Sequence, residues 1–480
     1  MRNHILIYIN GRRQEVHGAD VFRSLSDYLR YQRRLVGTKV VCAEGDCGSC
    51  TVFVGRLSGG RILYRTVTSC IQFMYQLDGA HIITIEGLKH HGRLNPVQEA
   101  MVRCQGTQCG FCTPGFVVSL HALLQENRQP SEQEVRTALV GNLCRCTGYQ
   151  PILQAALWAA EQPLPPLESW YTPQEMIDDF ATSANESVLA EDDGRTFFKP
   201  STLAEAVQFR SENPHCTIFA GGTDLGVQIN KGVRDVTSVL AINALPELQG
   251  VVQENKAIVA GAAATIAEFE RVAERALPEL GNLLHYFGSA QIRSAATVGG
   301  NIANASPIGD SMPAMYVLNA EIELAGIAGT RRVNMNDFYT GYKTTVMRSD
   351  ELIGRVIIPL PRESEILRLY KVSRRKDLDI SAFTAAIWMR MSGSTIAAIR
   401  IAYGGVGPNI LRLNRTEAFL TGQPLSDKTM IDAGAIAEQE IAPISDVRGS
   451  AEYRRQLGRN ILRKMCMQVA HASDGNGEVH

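Results

Sequence analysis

Neither sign of charge is in excess: 48 Lys and Arg stand against 49 Asp and Glu, a formal net charge of -1. A surface built to hold a polyanion carries a basic surplus, so neither nucleic acid nor an acidic membrane is an expected partner. Long apolar runs are missing too. Nothing reaches the roughly 18 apolar residues of a membrane span, and the N-terminus lacks the layout of a secretory signal. A cytoplasmic protein is expected. Two nucleotide-binding signatures are absent: no G-x-G-x-x-G follows a strand, and no P-loop sequence occurs. Cysteine is almost missing from the last two-thirds, where only Cys216 and Cys466 remain of the 11 in the chain.

The other nine cysteines lie before residue 150. Dense clustering without a secretory signal points to metal rather than to disulfides. The first set is Cys42, Cys47 and Cys50 in VCAEGDCGSCTVFV, with Cys70 closing the run RILYRTVTSC. C-x4-C-x2-C with a distant fourth cysteine is the plant-type ferredoxin spacing for a 2Fe–2S cluster. Three thiolates must converge on one tight loop, and Gly45 and Gly48 let that backbone come close with φ > 0. A zinc site or a disulfide loop is the rival reading, but zinc sites usually come as two short pairs.

The second set is Cys109 and Cys112 in QCGFCTPGFVVSL, with Cys144 and Cys146 in NLCRCTGYQPILQAAL. Each motif opens an apolar helical stretch, with Phe116, Val117, Leu120 and Leu124 at helical spacing after the first and Pro151 in the first turn after the second. Ser131 and Glu134 form a capping box between them. Four thiolates at the mouths of two helices can close around one cluster, with zinc again the alternative. Ahead of both sets, Ile5, Ile7 and Ile9 alternate into Asn10-Gly11, the pattern of a hairpin with a type I′ turn.

EGDCGSCTV, QCGFCTPG and NLCRCTGY, in this order and spacing, resemble the iron–sulfur region of the xanthine dehydrogenase/aldehyde oxidase family of molybdenum hydroxylases. Asp46 and Ser49 stand where many relatives have Gly and Ala; both changes are small. The resemblance implies two 2Fe–2S clusters held by the eight cysteines above. Cys104 has no place among them and reads as a buried thiol.

Around residue 161 the composition turns Pro-rich, then acidic, which reads as a linker. TIFAGGTDLGVQINKG at 217–232 then drives an apolar run into a Gly-Gly-Thr-Asp turn, able to aim N–H groups at phosphate. GSAQIRSAATVGGNIANASPIGDSMPA at 288–314 is rich in small and polar residues without a helical period, as a lining for a large polar ligand would be. These two segments resemble the family's flavin-binding domain. The resemblance implies FAD with its pyrophosphate against Ala220, Gly221, Gly222, Thr223 and Asp224. Phe287, Thr297, Gly300, Asn301, Asn304 and Asp310 would line the rest, joined by Ile353, Lys371 and Asp379. From charge alone, Lys371 and the loop with Arg374 and Arg375 would be solvated surface.

The implied fold is multidomain α+β: a β-grasp 2Fe–2S ferredoxin domain (1–86), a helical 2Fe–2S domain (87–162), a linker (163–194), an α+β FAD-binding domain of the vanillyl-alcohol-oxidase type (195–364), a small C-terminal α+β domain (365–470) and a disordered tail (471–480). The implied function is electron transfer, with no catalytic residue on this chain. Substrate would be oxidised at a molybdopterin centre on a separate large subunit, two copies of each forming a heterotetramer. Electrons would pass through both clusters to FAD and on to NAD⁺. Xanthine or hypoxanthine is the expected substrate, and an aldehyde or another N-heterocycle the alternative. A zinc-stabilised interaction protein is the rival from another class; a flavoprotein oxidase acting directly on substrate leaves the cysteines unexplained.

Overall fold

The computed structural model describes residues 1–89, 92–171 and 173–473. The chain forms two compact units. The first holds Met1–Gln249 together with Gly288–Thr297; the second holds Gly250–Phe287 and the chain from Val298 on.

The first unit begins with the expected hairpin, β1 (Ile5–Ile9) and β2 (Arg12–Val16), turned by Asn10 (φ 48°) and Gly11 (φ 78°). With β3 (Thr51–Ser58), β4 (Arg61–Thr68) and β5 (Ala80–Ile83) it makes a sheet of order β2-β1-β5-β3-β4. Only the β1–β5 pair is parallel. One face buries Ile5, Ile7, Ile9, Val52 and Ile82. Phe53 and Ile83 point into a different core, shared with four helices: Pro96–Arg103, Thr113–Glu126, Glu132–Ala138 and Gln150–Ala160. Capping boxes at Asn95/Gln98 and Ser131/Glu134 start two of these helices. Phe116, Val117, Leu120 and Leu124 are buried as their spacing requires, each contributing about 1.5–3 kcal/mol of apolar burial.

The segment expected to be a linker is itself structured. It carries the helix Gln174–Ala184 and β6 (Val188–Asp192). Met176 and Phe180, one helical turn apart, pack on Tyr8 and Ile62, while Asp179 accepts a 2.7 Å hydrogen bond from the Tyr8 hydroxyl. Acidic neighbours dilute the two apolar positions in the sequence, which hides their period. β6 joins β7 (Arg195–Lys199), β8 (Thr217–Phe219) and β9 (Ser238–Ala241) in the order β6-β7-β9-β8. Asp78 clamps the unit internally: it takes Arg2 in a two-pronged pair and Lys199 Nζ at 2.8 Å.

In the second unit β10 (Val251–Glu254), β11 (Ala257–Gly261), β12 (Glu321–Gly326), β13 (Gly329–Asn334) and β16 (Leu352–Pro359) form an antiparallel sheet of order β10-β11-β16-β12-β13. A short hairpin, β14 (Tyr339–Gly341) and β15 (Thr344–Thr345), lies between β13 and β16 in the chain. The antiparallel meander β17 (Glu365–Val372), β18 (Phe383–Ser392), β19 (Thr395–Gly404) and β20 (Leu411–Arg412) follows. Its core adds Met430, Ala433, Leu462 and Met465 from the helices Asp427–Glu440 and Ala451–Ser473. Of the expected tail, everything after residue 473 lies outside the described residues. No helix among the described residues is long and apolar enough to cross a membrane.

Candidate cofactor sites

The eight motif cysteines sort into two groups by their mutual contacts. Cys42 interacts with Cys47 and Cys70, and Cys50 with Cys70. Cys109 meets Cys146 with their sulfurs 3.5 Å apart, and Cys112 pairs with Cys144. The first loop reaches this arrangement through three left-handed residues, Ala43 (φ 56°), Gly45 (φ 76°) and Gly48 (φ 70°). Backbone N–H groups of Glu44 and Cys47 then donate to Cys42 Sγ at 3.4 and 3.5 Å. In the second set the Thr147 hydroxyl lies 3.2 Å from Cys144 Sγ and the Thr147 N–H donates to it at 3.5 Å.

Crowding perturbs the thiols in opposite directions. Hydrogen bonds from Cys47 and then Cys70 hold Cys42 far below the ordinary thiol range, while Cys42 and Cys50 push Cys70 up. Burial, followed by Cys144, raises Cys112 to about 12. Burial opposes ionisation of Cys144 as well, but the Thr147 hydroxyl and N–H outweigh it and bring this thiol below its usual value. Four sulfurs sharing protons so unequally fit a centre that takes all four as thiolates. Each set is purely sulfur and each receives backbone N–H groups, the donor chemistry of a 2Fe–2S cluster. Cys104 is half-buried against the helical core and apart from both sets of hydrogen bonds.

The two cysteine loops touch backbone to backbone. Leu143 N donates to Cys47 O at 3.0 Å, and Asn142 Nδ2 donates to Gly48 O at 3.1 Å. The fit depends on absent side chains: a Cβ on Gly115 would stand 2.0 Å from Gly48 O, and one on Gly48 would stand 2.1 Å from Gly141 O. Asn142 Oδ1 accepts from Ser119 Oγ (2.7 Å) and from Gln291 Nε2 (3.0 Å), all three buried. None of these polar residues was singled out from sequence, because nothing local marks them; only their meeting across the fold gives them a role.

From the first set the contacts continue to the glycine turn. β8 ends at Phe219 and the chain turns through Ala220–Asp224 into the short helix Leu225–Asn230. That helix rests on the Cys70 segment: a Cβ on Gly226 would meet Ile71 O at 2.7 Å, and Asn230 Nδ2 donates to Ala43 O and Cys70 O, both at 2.9 Å. Gln76 and Gln72 take the carbonyls of Ala220 and Gly221. No acceptor among the described residues takes the N–H groups of Gly221, Gly222, Thr223 or Asp224. Gly222 is left-handed (φ 70°), and a Cβ on Gly221 would strike Ala295 O at 2.1 Å, so this turn is pressed against the turn that follows the short helix Ala290–Arg293 and leads to buried Thr297. A glycine turn with its carbonyls held back and its N–H groups outward suits an anionic pyrophosphate.

The remaining expected flavin residues belong to the second unit. Lys371 is not solvated surface: its side chain is 7 % exposed, with Nζ 2.7 Å from Asp310 Oδ2 and 2.8 Å from Tyr286 O. β17 is the edge strand of the meander, and it is Asp310 and Tyr286, both remote in sequence, that cover the Lys371 ammonium there. Ser381 Oγ donates to the other Asp310 oxygen at 2.5 Å. Asn301 accepts from Ser311 Oγ, and Gly300 and Asn304 are one helical turn apart, joined by a 3.0 Å hydrogen bond. Buried Ile353 on β16 precedes Gly354, whose carbonyl takes Ala262 N; Ala262 O in turn takes Gly299 N. Phe287 is half-buried. Asp379 makes its hydrogen bonds elsewhere than with the Asp310–Lys371 pair: it accepts from Arg375 N and Nε, and that hydrogen bonding keeps its carboxyl below the usual range, with the Lys371 charge adding a smaller effect.

Four family models match successive stretches of the chain. They are a 2Fe-2S iron-sulfur cluster binding domain (7–66), a 2Fe-2S binding domain (84–157), an FAD binding domain in molybdopterin dehydrogenase (191–361) and a CO dehydrogenase flavoprotein C-terminal domain (368–469). Xanthine dehydrogenase of Drosophila pseudoobscura pseudoobscura is 30% identical over 97% of this chain and 39% of its own length. Xanthine dehydrogenase/oxidase of Gallus gallus is 28% identical over 98% and 40%. The chain thus spans about two-fifths of the length of the curated relatives it matches. Among solved structures, carbon monoxide dehydrogenase from Hydrogenophaga pseudoflava aligns at 26% identity and a TM-score of 0.54, covering 56% of this chain and 94% of that one. Quinoline 2-oxidoreductase from Pseudomonas putida 86 aligns at 27% identity and 0.53, covering 57% and 96%. Two iron–sulfur domains followed by an FAD-binding domain define an iron–sulfur flavoprotein of the oxidoreductase class. The chain belongs to the xanthine dehydrogenase/aldehyde oxidase family of molybdenum hydroxylases, as its iron–sulfur and FAD part.

Proposed function

We propose that this chain is an electron-transfer subunit that receives electrons from a molybdopterin centre on a partner subunit and delivers them through two 2Fe–2S clusters to FAD and then NAD⁺. One observation carries the order: contacts run without a break from the Cys109/Cys112/Cys144/Cys146 set, through Leu143 and Cys47, to the Cys42/Cys47/Cys50/Cys70 set, and on through Ile71 and Asn230 to the glycine turn. Cys109 and Cys146 are exposed whereas Cys50 and Cys70 are buried, so the second set is the end open to a partner. When bound, the clusters carry single electrons and the flavin collects them in pairs. The protein's task is positioning: thiolate ligation by the eight cysteines, short contacts between their loops, and the N–H groups of Gly221–Asp224 on the pyrophosphate. Asn301, Asp310 with Lys371, and Ile353 would line the flavin elsewhere, together with Phe287, Thr297, Gly300, Asn304 and Asp379.

Hypoxanthine and xanthine are the substrates we assign to the complex, in keeping with the relatives named xanthine dehydrogenase. A second reading has its own support: the quinoline and carbon monoxide enzymes align as well, so an equivalent subunit serving another heterocycle or a small substrate fits the same architecture. A substrate panel on the co-purified complex separates the two, since turnover of aldehydes or quinolines without purines would remove the purine assignment. The electron route is tested on the chain alone by anaerobic absorption spectra. NADH should bleach flavin and iron–sulfur bands together; bleaching by dithionite only would remove NAD⁺ as acceptor. Cys47→Ser and Cys144→Ser should each lose two of about four irons and keep FAD. Retention of all the iron would refute the ligand assignment. Sedimentation of the complex tests the proposed pair of each subunit.

A further inference from the structure

Outside the two cysteine sets, one other group of metal-ligating side chains converges among the described residues: His4, Glu15 and His17. Their meeting follows from hairpin register. Ile5 pairs with Val16 and Leu6 with Glu15, so the next position outward sets His4 opposite His17. Side chains alternate along a strand, which turns Glu15 and His17 to one face while Val16 between them enters the core, 1 % exposed. The imidazole centroids of His4 and His17 are 4.9 Å apart. Glu15 Oε2 stands 3.7 Å from His17 Nε2, and the donor atoms of all three residues lie within 4.8 Å of one another.

We propose that these three side chains bind one divalent cation of the zinc class at the open end of the β1–β2 hairpin. Two imidazoles and a carboxylate select Zn²⁺, Ni²⁺ or Cu²⁺ over Ca²⁺ and Mg²⁺, which require oxygen ligands throughout. Three protein ligands leave a fourth position for water, as in open zinc sites. The surroundings orient the donors. His4 Nδ1 lies 3.2 Å from Asn3 Oδ1, so its ring N–H is engaged there and Nε2 holds the free lone pair. Arg13 Nη1 takes Glu15 Oε1 at 2.7 Å, leaving Oε2 turned to His17. Arg13 is itself held by Asp179 at 2.9 Å and does not enter the triangle. Donors around a tetrahedral zinc stand about 3.3 Å apart, so closure needs side-chain rotation of an ångström or so. Glu15 and His17, with side chains 41 % and 54 % exposed, are free to make it. The bound cation would tie the residue before β1 to the residue after β2, at the end of the hairpin remote from the Asn10-Gly11 turn.

The test uses the full chain with clusters and FAD in place, so that the motif thiols are occupied, and without a histidine tag. Isothermal titration with Zn²⁺ should show about one equivalent bound; His17→Ala should weaken that binding at least about tenfold, and Glu15→Gln by a smaller factor. His4→Gln provides the same test from the first strand should His17→Ala fold poorly. Zn²⁺ binding only in the millimolar range, or an affinity unchanged in both histidine variants, would overturn the site.

Discussion

Gly115→Ala asks whether the two cysteine loops must touch. Gly115 lies in the first turn of the helix Thr113–Glu126, where backbone preference alone favours alanine by up to about 1 kcal/mol. Sterics say the opposite. The new Cβ would stand 2.0 Å from Gly48 O and 3.0 Å from Asn142 Nδ2. Contacts under 3.0 Å are essentially never seen, so helix and loop must part by about 1 Å. Neither side yields easily: Gly48 O already accepts from Asn142 and Thr51, and Gly48 is packed against Gly141. Overpacking of this kind costs about 1–3 kcal/mol, so the net effect is a loss of about 1–2 kcal/mol despite the better helix former. Hydrogen exchange read over residues 113–124 should show faster opening, and electron paramagnetic resonance of the reduced protein should show weaker magnetic coupling between the clusters. Asn142→Ala loosens the same junction without adding bulk, leaving buried Ser119 and Gln291 short of a partner at about 1–3 kcal/mol. Because both changes act on one contact, their costs should fall short of additive. Unchanged or increased protection in Gly115→Ala, with unaltered coupling, would refute the junction.

Histidine burial makes the first unit acid-sensitive. His81 accepts Gly11 N on Nε2 and contacts the Tyr64 hydroxyl through Nδ1, and burial lowers it to about 3; burial likewise lowers His121 to about 3. A folded value below the unfolded value of about 6.5 means that protons bind the unfolded chain preferentially, so stability is full above pH 6.5 and falls with pH toward 3. Each ring should cost about 2 kcal/mol by pH 5, and urea midpoints measured from pH 7 to 5 should decline less in His81→Gln; an equal decline would exclude His81 as a source. Neither ring nitrogen of His121 has a partner among the described residues, and the ring sits edge-on to Phe53 and Trp170. His121→Phe should therefore leave stability at pH 7 unchanged or raise it by about 1 kcal/mol, and a loss beyond that in thermal unfolding would reveal a hidden polar role. Lys371→Ala strands the Asp310 carboxylate in a mostly buried position and should cost about 3 kcal/mol, with weaker FAD retention on gel filtration. Full retention and unchanged stability would remove the pair from the flavin site.

Legibility in the sequence follows the range of the interaction. The hairpin turn, the capping box at Ser131/Glu134 and the apolar stripe from Phe116 to Leu124 are set by neighbours no more than four positions apart, and each stands where local patterning puts it. The two sulfur sets were legible for a related reason: spacing within each half-motif is local, and only their closure by Cys70 or by Cys144 and Cys146 is remote. Polar residues that bridge distant segments left no such trace. Gln291 meets Asn142 across 149 positions, Asn230 meets Cys70 across 160, and Lys371 meets Asp310 across 61. A lysine in a strand of mixed polarity looks solvated until its partner is known, and the helix Gln174–Ala184 looks like linker until Tyr8 and Ile62 supply the surface for Met176 and Phe180. Glycine offers the intermediate case. At Gly48, Gly115 and Gly221 the residue type does advertise a close approach, but what approaches is another stretch of backbone, and only the fold identifies it as the neighbouring cofactor loop or the segment before Thr297. Those three backbone contacts are where a single methyl group would separate elements that the proposed electron path needs together.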